Sequence, residues 1–224
     1  MYVFHILQVL AYNLFGYSAH KKTVELLNFI LIANMFTNFC RPSFHGFKKI
    51  PKNVPLIIVA NHQSMYDIPP IVWGFRKHHP KFISKKELGN GIPSISYNLK
   101  KGGSALIDRG NGSQAIKEIL KLGRNMEEKN WSVCIFPEGS RSLNGELKKF
   151  QLAGLKTLLK ASPSALVVPC TLNGNYKLHK YGKFPLNFGQ RMKYTAHAPI
   201  SRENISDEEL LETVRATIRE SLSN

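Results

Sequence analysis

The chain alternates short apolar runs with longer stretches that are apolar on one side only. The run at 56–60, LIIVA, contains no polar residue and predicts a strand buried on both faces. Further short strands are predicted over 81–84, 104–107 and 131–136. Another covers 164–172, where Pro169 predicts a sheet edge or a bulge. Helical faces lie between them: Ile68, Ile71, Val72 and Phe75, with Pro69 and Pro70 tolerated in a first turn. Ile116, Ile119, Leu120 and Met126 form a second, after a turn and cap at Asn111-Gly112-Ser113. Leu152, Leu155, Leu158 and Leu159 form a third. A capping box, Ser206 with Glu209, opens a last helix carrying Leu211, Val214, Ile218 and Leu222. Strands alternating with helices predict an α/β fold, a central mixed β-sheet flanked by helices.

The first forty residues have a different pattern. Residues 1–20 contain no Lys, Arg, Asp or Glu, and residues 23–39 carry one acid, Glu25, with Lys21 and Lys22 between the two segments. A spanning helix needs about 20 predominantly apolar residues. Both segments are marginal in length and interrupted, by Gln8 and Asn13 and by Asn28, Asn34 and Asn38. They predict a helical pair lying in the membrane interface or dipping into one leaflet. A cleaved signal peptide would show a positive start and a small-residue cleavage site, and neither stands out. The expected division is 1–40 as a membrane-associated helical segment and 41–224 as one domain. Residues 41–53 read as a basic connector closed by Pro51 and Pro55.

Charge alone fits either a nucleic acid or an anionic membrane surface, and the apolar N-terminal segments turn the reading toward membrane. Lys and Arg number 31 against 15 acids, a formal charge of +16, which calls for an anionic partner. The positive residues are spread through acid-free tracts, 26–66 and 147–202, rather than gathered on one arginine-rich helix. No zinc-finger spacing or aromatic-basic RNA motif supports nucleic acid. Within 173–199, Tyr176, Tyr181, Phe184 and Phe188 stand among five basic residues, either as a membrane- or donor-facing surface or as a plain loop and edge strand. Cys40, Cys134 and Cys170 lack metal spacing; Cys134 and Cys170, inside apolar strand-like runs, read as buried thiols, and the odd, sparse count points to a reducing compartment.

The candidate chemistry sits where the 56–60 strand ends. His62 follows it and Asp67 comes five residues later. A carboxylate that holds one imidazole nitrogen makes the other a general base. Ser64 is too near to be an obvious nucleophile, so the hydroxyl to be activated can belong to a substrate. On these two residues alone, a surface hydrogen bond competes evenly with catalysis.

A second motif, Phe136-Pro-Glu-Gly-Ser-Arg-Ser142, follows the 131–136 strand. Together, Asn61-His-Gln-Ser-Met-Tyr-Asp67 and this motif resemble the glycerolipid acyltransferase family, most closely the lysophosphatidic acid acyltransferases. Gly103-Ser-Ala-Leu-Ile-Asp-Arg109 resembles the family's arginine block, and Val167-Val-Pro169 its last block. The resemblance runs from about residue 54 to 175, and Ser140 departs from the usual Thr while keeping the hydroxyl. It implies a glycerol-3-phosphate acyltransferase-like fold. The implied reaction moves a fatty acyl group from an acyl thioester, on coenzyme A or acyl carrier protein, to the sn-2 hydroxyl of 1-acyl-sn-glycerol 3-phosphate, giving phosphatidic acid. His62 would be the base and Asp67 its orienting partner. Arg109 and Arg141 would grip phosphate through their forked donors. Glu138 would orient Arg141 or the acceptor glycerol, Gly139 would allow close backbone approach, and Ser140 would complete the substrate loop. Lys86 would assist with phosphate or lie in a solvated turn. No cofactor or metal is implied beyond the acyl co-substrate. The implied partners are lysophosphatidic acid, the thioester and an anionic membrane surface, at the cytoplasmic face of the inner or plasma membrane. The same family chemistry could serve another lysolipid, such as a lyso-ornithine lipid. A non-catalytic basic binding protein would have no need of the His62 and Asp67 pair.

Overall fold

The computed structural model describes residues 1–182 and 185–223. Phe184, one of the aromatics singled out above, and Lys183 lie outside the described residues. The strands are β1 (Arg41–His45), β2 (Leu56–Ala60), β3 (Pro80–Lys85), β4 (Ala105–Ile107), β5 (Ser132–Ile135), β6 (Leu166–Asn173) and β7 (Arg191–Ala196). They form one sheet in the order β1-β7-β6-β2-β5-β3-β4. Every neighbouring pair is parallel except β6 with β7. The helices are α1 (Tyr2–Ala33), α2 (Ile68–Gly74), α3 (Ile95–Lys101), α4 (Gly112–Lys129), α5 (Leu152–Ala161) and α6 (Asp207–Ser223).

β2 is central, and all five of its residues are fully buried. Its twofold side-chain period divides it between two cores. Leu56, Ile58 and Ala60 pack with Val24 of α1 and with Ile71, Val72 and Phe75 around α2. Ile57 and Val59 face Ile119, Leu122 and Met126 of α4, Leu155 and Leu158 of α5, and Val214 and Ile218 of α6. The mixed sheet flanked by helices is therefore the architecture expected from the alternating pattern. Cys40, Cys134 and Cys170 are free and buried.

Three local expectations need correction. The segment 41–53 is not simply a connector, because its first five residues form β1, an edge strand paired with β7. That pairing joins residues 150 positions apart (Arg41 with Arg191), so no local pattern announces it. Pro169 is neither at an edge nor in a bulge: β6 lies inside the sheet, between β2 and β7. The antiparallel ladder runs only as far as Cys170 opposite Ala196, the last residue of β7. Pro169 therefore falls just past the ladder, where its carbonyl still accepts from His197 N at 2.9 Å and its missing N–H costs little. β7 itself is internal, since β1 covers its other side.

The expected helical pair is present, but its break is at Gly16 rather than at Lys21-Lys22. Gly16 takes φ 76°, ψ −167°, while both lysines continue the second limb. Lysine propagates a helix well, and only glycine enters this region freely. The second limb packs on the domain through Phe29 against Trp73, with ring centroids 4.7 Å apart. Tyr17 meets Lys81, His79 and Trp131. The first limb leaves Tyr2, Val3, Ile6, Leu10, Leu14 and Phe15 exposed, and Phe36 and Phe39, after the second limb, are exposed as well. No helix among the described residues is long and apolar enough to cross a membrane.

Candidate active site

Strands β2 to β6 are mutually parallel, so the loops after them emerge on one side of the sheet, the usual place for chemistry in such folds. After β2 the Asn61 amide clamps the neighbouring strand, donating to Leu172 O at 2.9 Å and accepting from Leu172 N at 2.8 Å. The chain then turns through a single 3-10 turn, Met65–Asp67. Ser64 caps this turn by accepting from Tyr66 N at 3.1 Å, and Asp67 closes the box by accepting from Ser64 N at 2.9 Å. The same Asp67 oxygen, Oδ2, accepts from Gln63 N at 2.6 Å and from His62 Nδ1 at 2.7 Å. The five-residue spacing is thus the length of one capped turn folded back on its own histidine. A carboxylate only accepts, so Nδ1 carries the proton and Nε2 keeps its lone pair. Asp67 is fully buried, whereas the His62 side chain is 18% exposed. The imidazole stacks on Phe136, with centroids 4.2 Å apart and planes 20° apart.

The loop after β5 fixes this histidine from behind. Glu138 is buried, and its two oxygens accept from His62 N at 2.6 Å and Lys148 N at 3.0 Å. Burial pushes its carboxyl above the usual carboxylate range, opposed by these two bonds. Glu138 therefore ties two backbone segments together, and among the described residues its bonds go to these two N–H groups rather than to Arg141. Ser142 N adds a second tie, to His62 O at 2.7 Å. Gly139 has φ 69°, the conformation that favours glycine, and its carbonyl accepts from Arg109 Nη1. Ser140 and Arg141 are exposed, and Lys148 Nζ reaches the Ser140 hydroxyl at 3.0 Å and the Arg141 carbonyl at 2.7 Å.

Beside His62 lies a cavity of about 280 Å³ between the sheet and helices α4 and α5. Ile83, Ile107, Ile116, Ile119, Ile135 and Phe136 make it apolar, and His62, Arg109 and Gly139 share its wall. Gly154 of α5 widens it, since a Cβ there would stand 2.9 Å from Ile135 Cδ1. The fold thus brings His62, Asp67, Arg109 and Gly139 together. Arg141, Ser140 and Lys86 are not among the residues that line the cavity; Lys86 is exposed on a short turn after β3.

Residues 41–173 match the family described as Acyltransferase. The chain belongs to this acyltransferase family. It is 34% identical to the 1-acyl-sn-glycerol-3-phosphate acyltransferase of Cocos nucifera over 124 residues, 55% of this chain and 39% of that protein. It is 33% identical to the enzyme of the same name from Helicobacter pylori over 135 residues, 56% of this chain and 54% of that protein. The matched stretch thus spans about half or less of the length of these relatives. Among solved structures, the 1-acyl-sn-glycerophosphate (LPA) acyltransferase PlsC of Thermotoga maritima superposes with a TM-score of 0.76 at 26% identity. The superposition covers 92% of this chain and 79% of that one.

The acyltransferase site also contains residues that sequence reasoning missed. Asn175 donates to Asp67 Oδ1 at 2.7 Å, and Tyr194 OH donates to Asn175 Oδ1 at 2.8 Å. His179 Nε2 lies 2.7 Å from Ser64 Oγ. Lys148 backs the loop after β5. Asn173-Gly174-Asn175 is a recognisable turn signal, but nothing local says what Asn175 touches. Gly174 has φ 95°, and a Cβ there would lie 2.4 Å from Arg191 O, so only glycine turns the chain back over Asp67.

Proposed function

We propose that this acyltransferase moves a fatty acyl group from an acyl thioester to the sn-2 hydroxyl of 1-acyl-sn-glycerol 3-phosphate, giving phosphatidic acid. The observation that carries this reading is an imidazole whose Nδ1 is held by a buried carboxylate at 2.7 Å and whose ring borders an apolar cavity. Nε2 takes the acceptor's hydroxyl proton as that oxygen attacks the thioester carbonyl. The C–O bond forms, the C–S bond breaks, and the departing thiolate takes the proton back from the imidazolium. No covalent enzyme intermediate is needed. The general base contributes about 10²–10⁴-fold, and positioning supplies much of the rest. The cavity suits the apolar chain of an acyl group. Arg109, anchored on Gly139 O, is the candidate for the acceptor's phosphate, with Arg141 and Lys86 as outer cations. Coenzyme A and acyl carrier protein are both anionic and both fit the basic chain.

In the same reading, residues 1–40 hold the domain 41–224 on the membrane. The exposed apolar side chains of α1, with Phe36 and Phe39, would enter the interface, and the basic tracts would meet anionic headgroups. A reducing, cytoplasmic side suits three free cysteines. The test is thioester release with acyl-coenzyme A and acyl carrier protein donors. The acceptors are lysophosphatidate, a lyso-ornithine lipid and other lysophospholipids, with vesicle co-sedimentation alongside. Release with lysophosphatidate preferred supports the reading; preference for another lysolipid reassigns the acceptor; no release with any acceptor refutes it.

A further inference from the structure

Asp67 is not the end of the hydrogen-bond chain that begins at His62. Its Oδ2 is occupied by three N–H groups, while Oδ1 takes its bond from Asn175 Nδ2. Asn175 Oδ1 in turn accepts from Tyr194 OH, and Asp67, Asn175 and Tyr194 are all fully buried. The two ends of a carboxamide are nearly the same shape, so shape does not decide which end meets the carboxylate. The Asp67 carboxylate, which only accepts, decides it by taking the NH2 end, and the Tyr194 hydroxyl then donates to the amide oxygen and holds the amide in that orientation. Asn175 is delivered by the Gly174 turn at the end of β6, and Tyr194 by β7, so residues outside the motifs converge on the dyad from two further strands.

We propose that Asn175 and Tyr194 are positioning residues that hold Asp67 so that Oδ2 faces His62 Nδ1 and draw off part of its charge, thereby setting the basicity of His62. This deepens the reading of His62 as the base and rests on it. The amide competes with the imidazole for the same carboxylate. It fixes the carboxylate's rotation and also moderates how strongly the imidazolium is stabilised. The other titratable and charged groups around the pair are Glu138 on His62 N, His179 on Ser64, and Cys134 and Cys170 behind Asp67. Arg109 borders the cavity beside His62, and Lys148 lies on the loop after β5 that carries Glu138. Among the described residues Asn175 supplies the one side-chain bond to Oδ1, so its loss is not made good by these groups.

The test uses Tyr194→Phe, Asn175→Leu and the double variant in the full chain, each checked for folding by near-UV circular dichroism. Asn175→Leu should lower kcat by about 10- to 100-fold, the range of one hydrogen bond to a charged group, with the KM of both substrates held. Tyr194→Phe should lower it less. The acid limb of the kcat/KM profile should move to higher pH in both, because Asp67 then concentrates its charge on His62. Tyr194→Phe should add nothing in the Asn175→Leu background, since Tyr194 acts through the amide. Additive losses, a limb that stays put or moves down, or an effect confined to KM would overturn the proposal. Titration of His62 by imidazole ¹⁵N NMR in the same variants reads the shift without turnover. If wild type releases no thiol, the acyl-transfer reading fails and the NMR shift still decides the relay; an unmoved His62 midpoint refutes it.

Discussion

Replacing Asp67 by Asn probes the dyad at its buried end, keeping size and removing charge. In the native site Oδ2 accepts from His62 Nδ1 at 2.7 Å, Gln63 N at 2.6 Å and Ser64 N at 2.9 Å, and Oδ1 accepts from Asn175 Nδ2 at 2.7 Å. Three donors converge on one oxygen, so the new amide oxygen must take that place and its NH2 must face Asn175. Asn175 then turns its amide over, and the Tyr194 hydroxyl changes from donor to acceptor. The fold survives this reversal with one hydroxyl proton unpartnered. Bonds to a charged acceptor are worth about 1.5–3 kcal/mol and neutral ones about 0.5–1.5, so weakening three of them lowers folding stability by roughly 3 kcal/mol. Catalysis loses more, because the imidazolium formed in the reaction no longer has a carboxylate 2.7 Å from Nδ1. The expected fall in kcat is about 10²–10⁴-fold, the full general-base contribution, with acceptor KM near wild type. Initial rates of thiol release give kcat, and urea unfolding gives the stability change. A folded Asp67→Asn protein within about tenfold of wild-type kcat, short of that range, would refute the base mechanism.

Arg109→Ala should raise acceptor KM about 10- to 100-fold if the guanidinium meets phosphate. Arg141→Ala, at an exposed position, should raise it only about fivefold or less, which acceptor titrations will check. Gly154→Leu should fill the space beside Ile135 and turn preference toward shorter acyl donors. Excluding two methylenes costs about 1.6 kcal/mol, or about 15-fold in kcat/KM for the longer chain. Lys81 is buried, without a carboxylate partner among the described residues, and burial lowers its amine to about 7 from 10.5. Between those values the unfolded chain binds the extra proton, so folding stability should rise with pH from about 7 to about 10.5. Lys81→Met should raise the melting temperature at neutral pH and flatten that rise.

The α/β architecture and the position of the dyad were legible in the sequence because both depend on short-range patterns. Five consecutive apolar residues bounded by Pro55 and Asn61 have the length and setting of a strand buried on both faces, and β2 is that strand. His62 and Asp67 lie within one capped turn, so their contact is settled by local chain geometry. Glycine at 16 rather than the lysines at 21 and 22 sets the bend of α1, a local rule that can be read from conformational freedom. What only the tertiary structure decided depends on strand order. β1 exists because β7 offers it a ladder 150 residues away, and Pro169 is tolerated inside the sheet because β7 stops one residue short of it. The motif marked Glu138 without showing that its two oxygens accept backbone N–H groups from separate loops. Asn175 and Tyr194 reach Asp67 from 108 and 127 residues away in sequence, and no periodicity or spacing encodes contacts formed only when the sheet assembles.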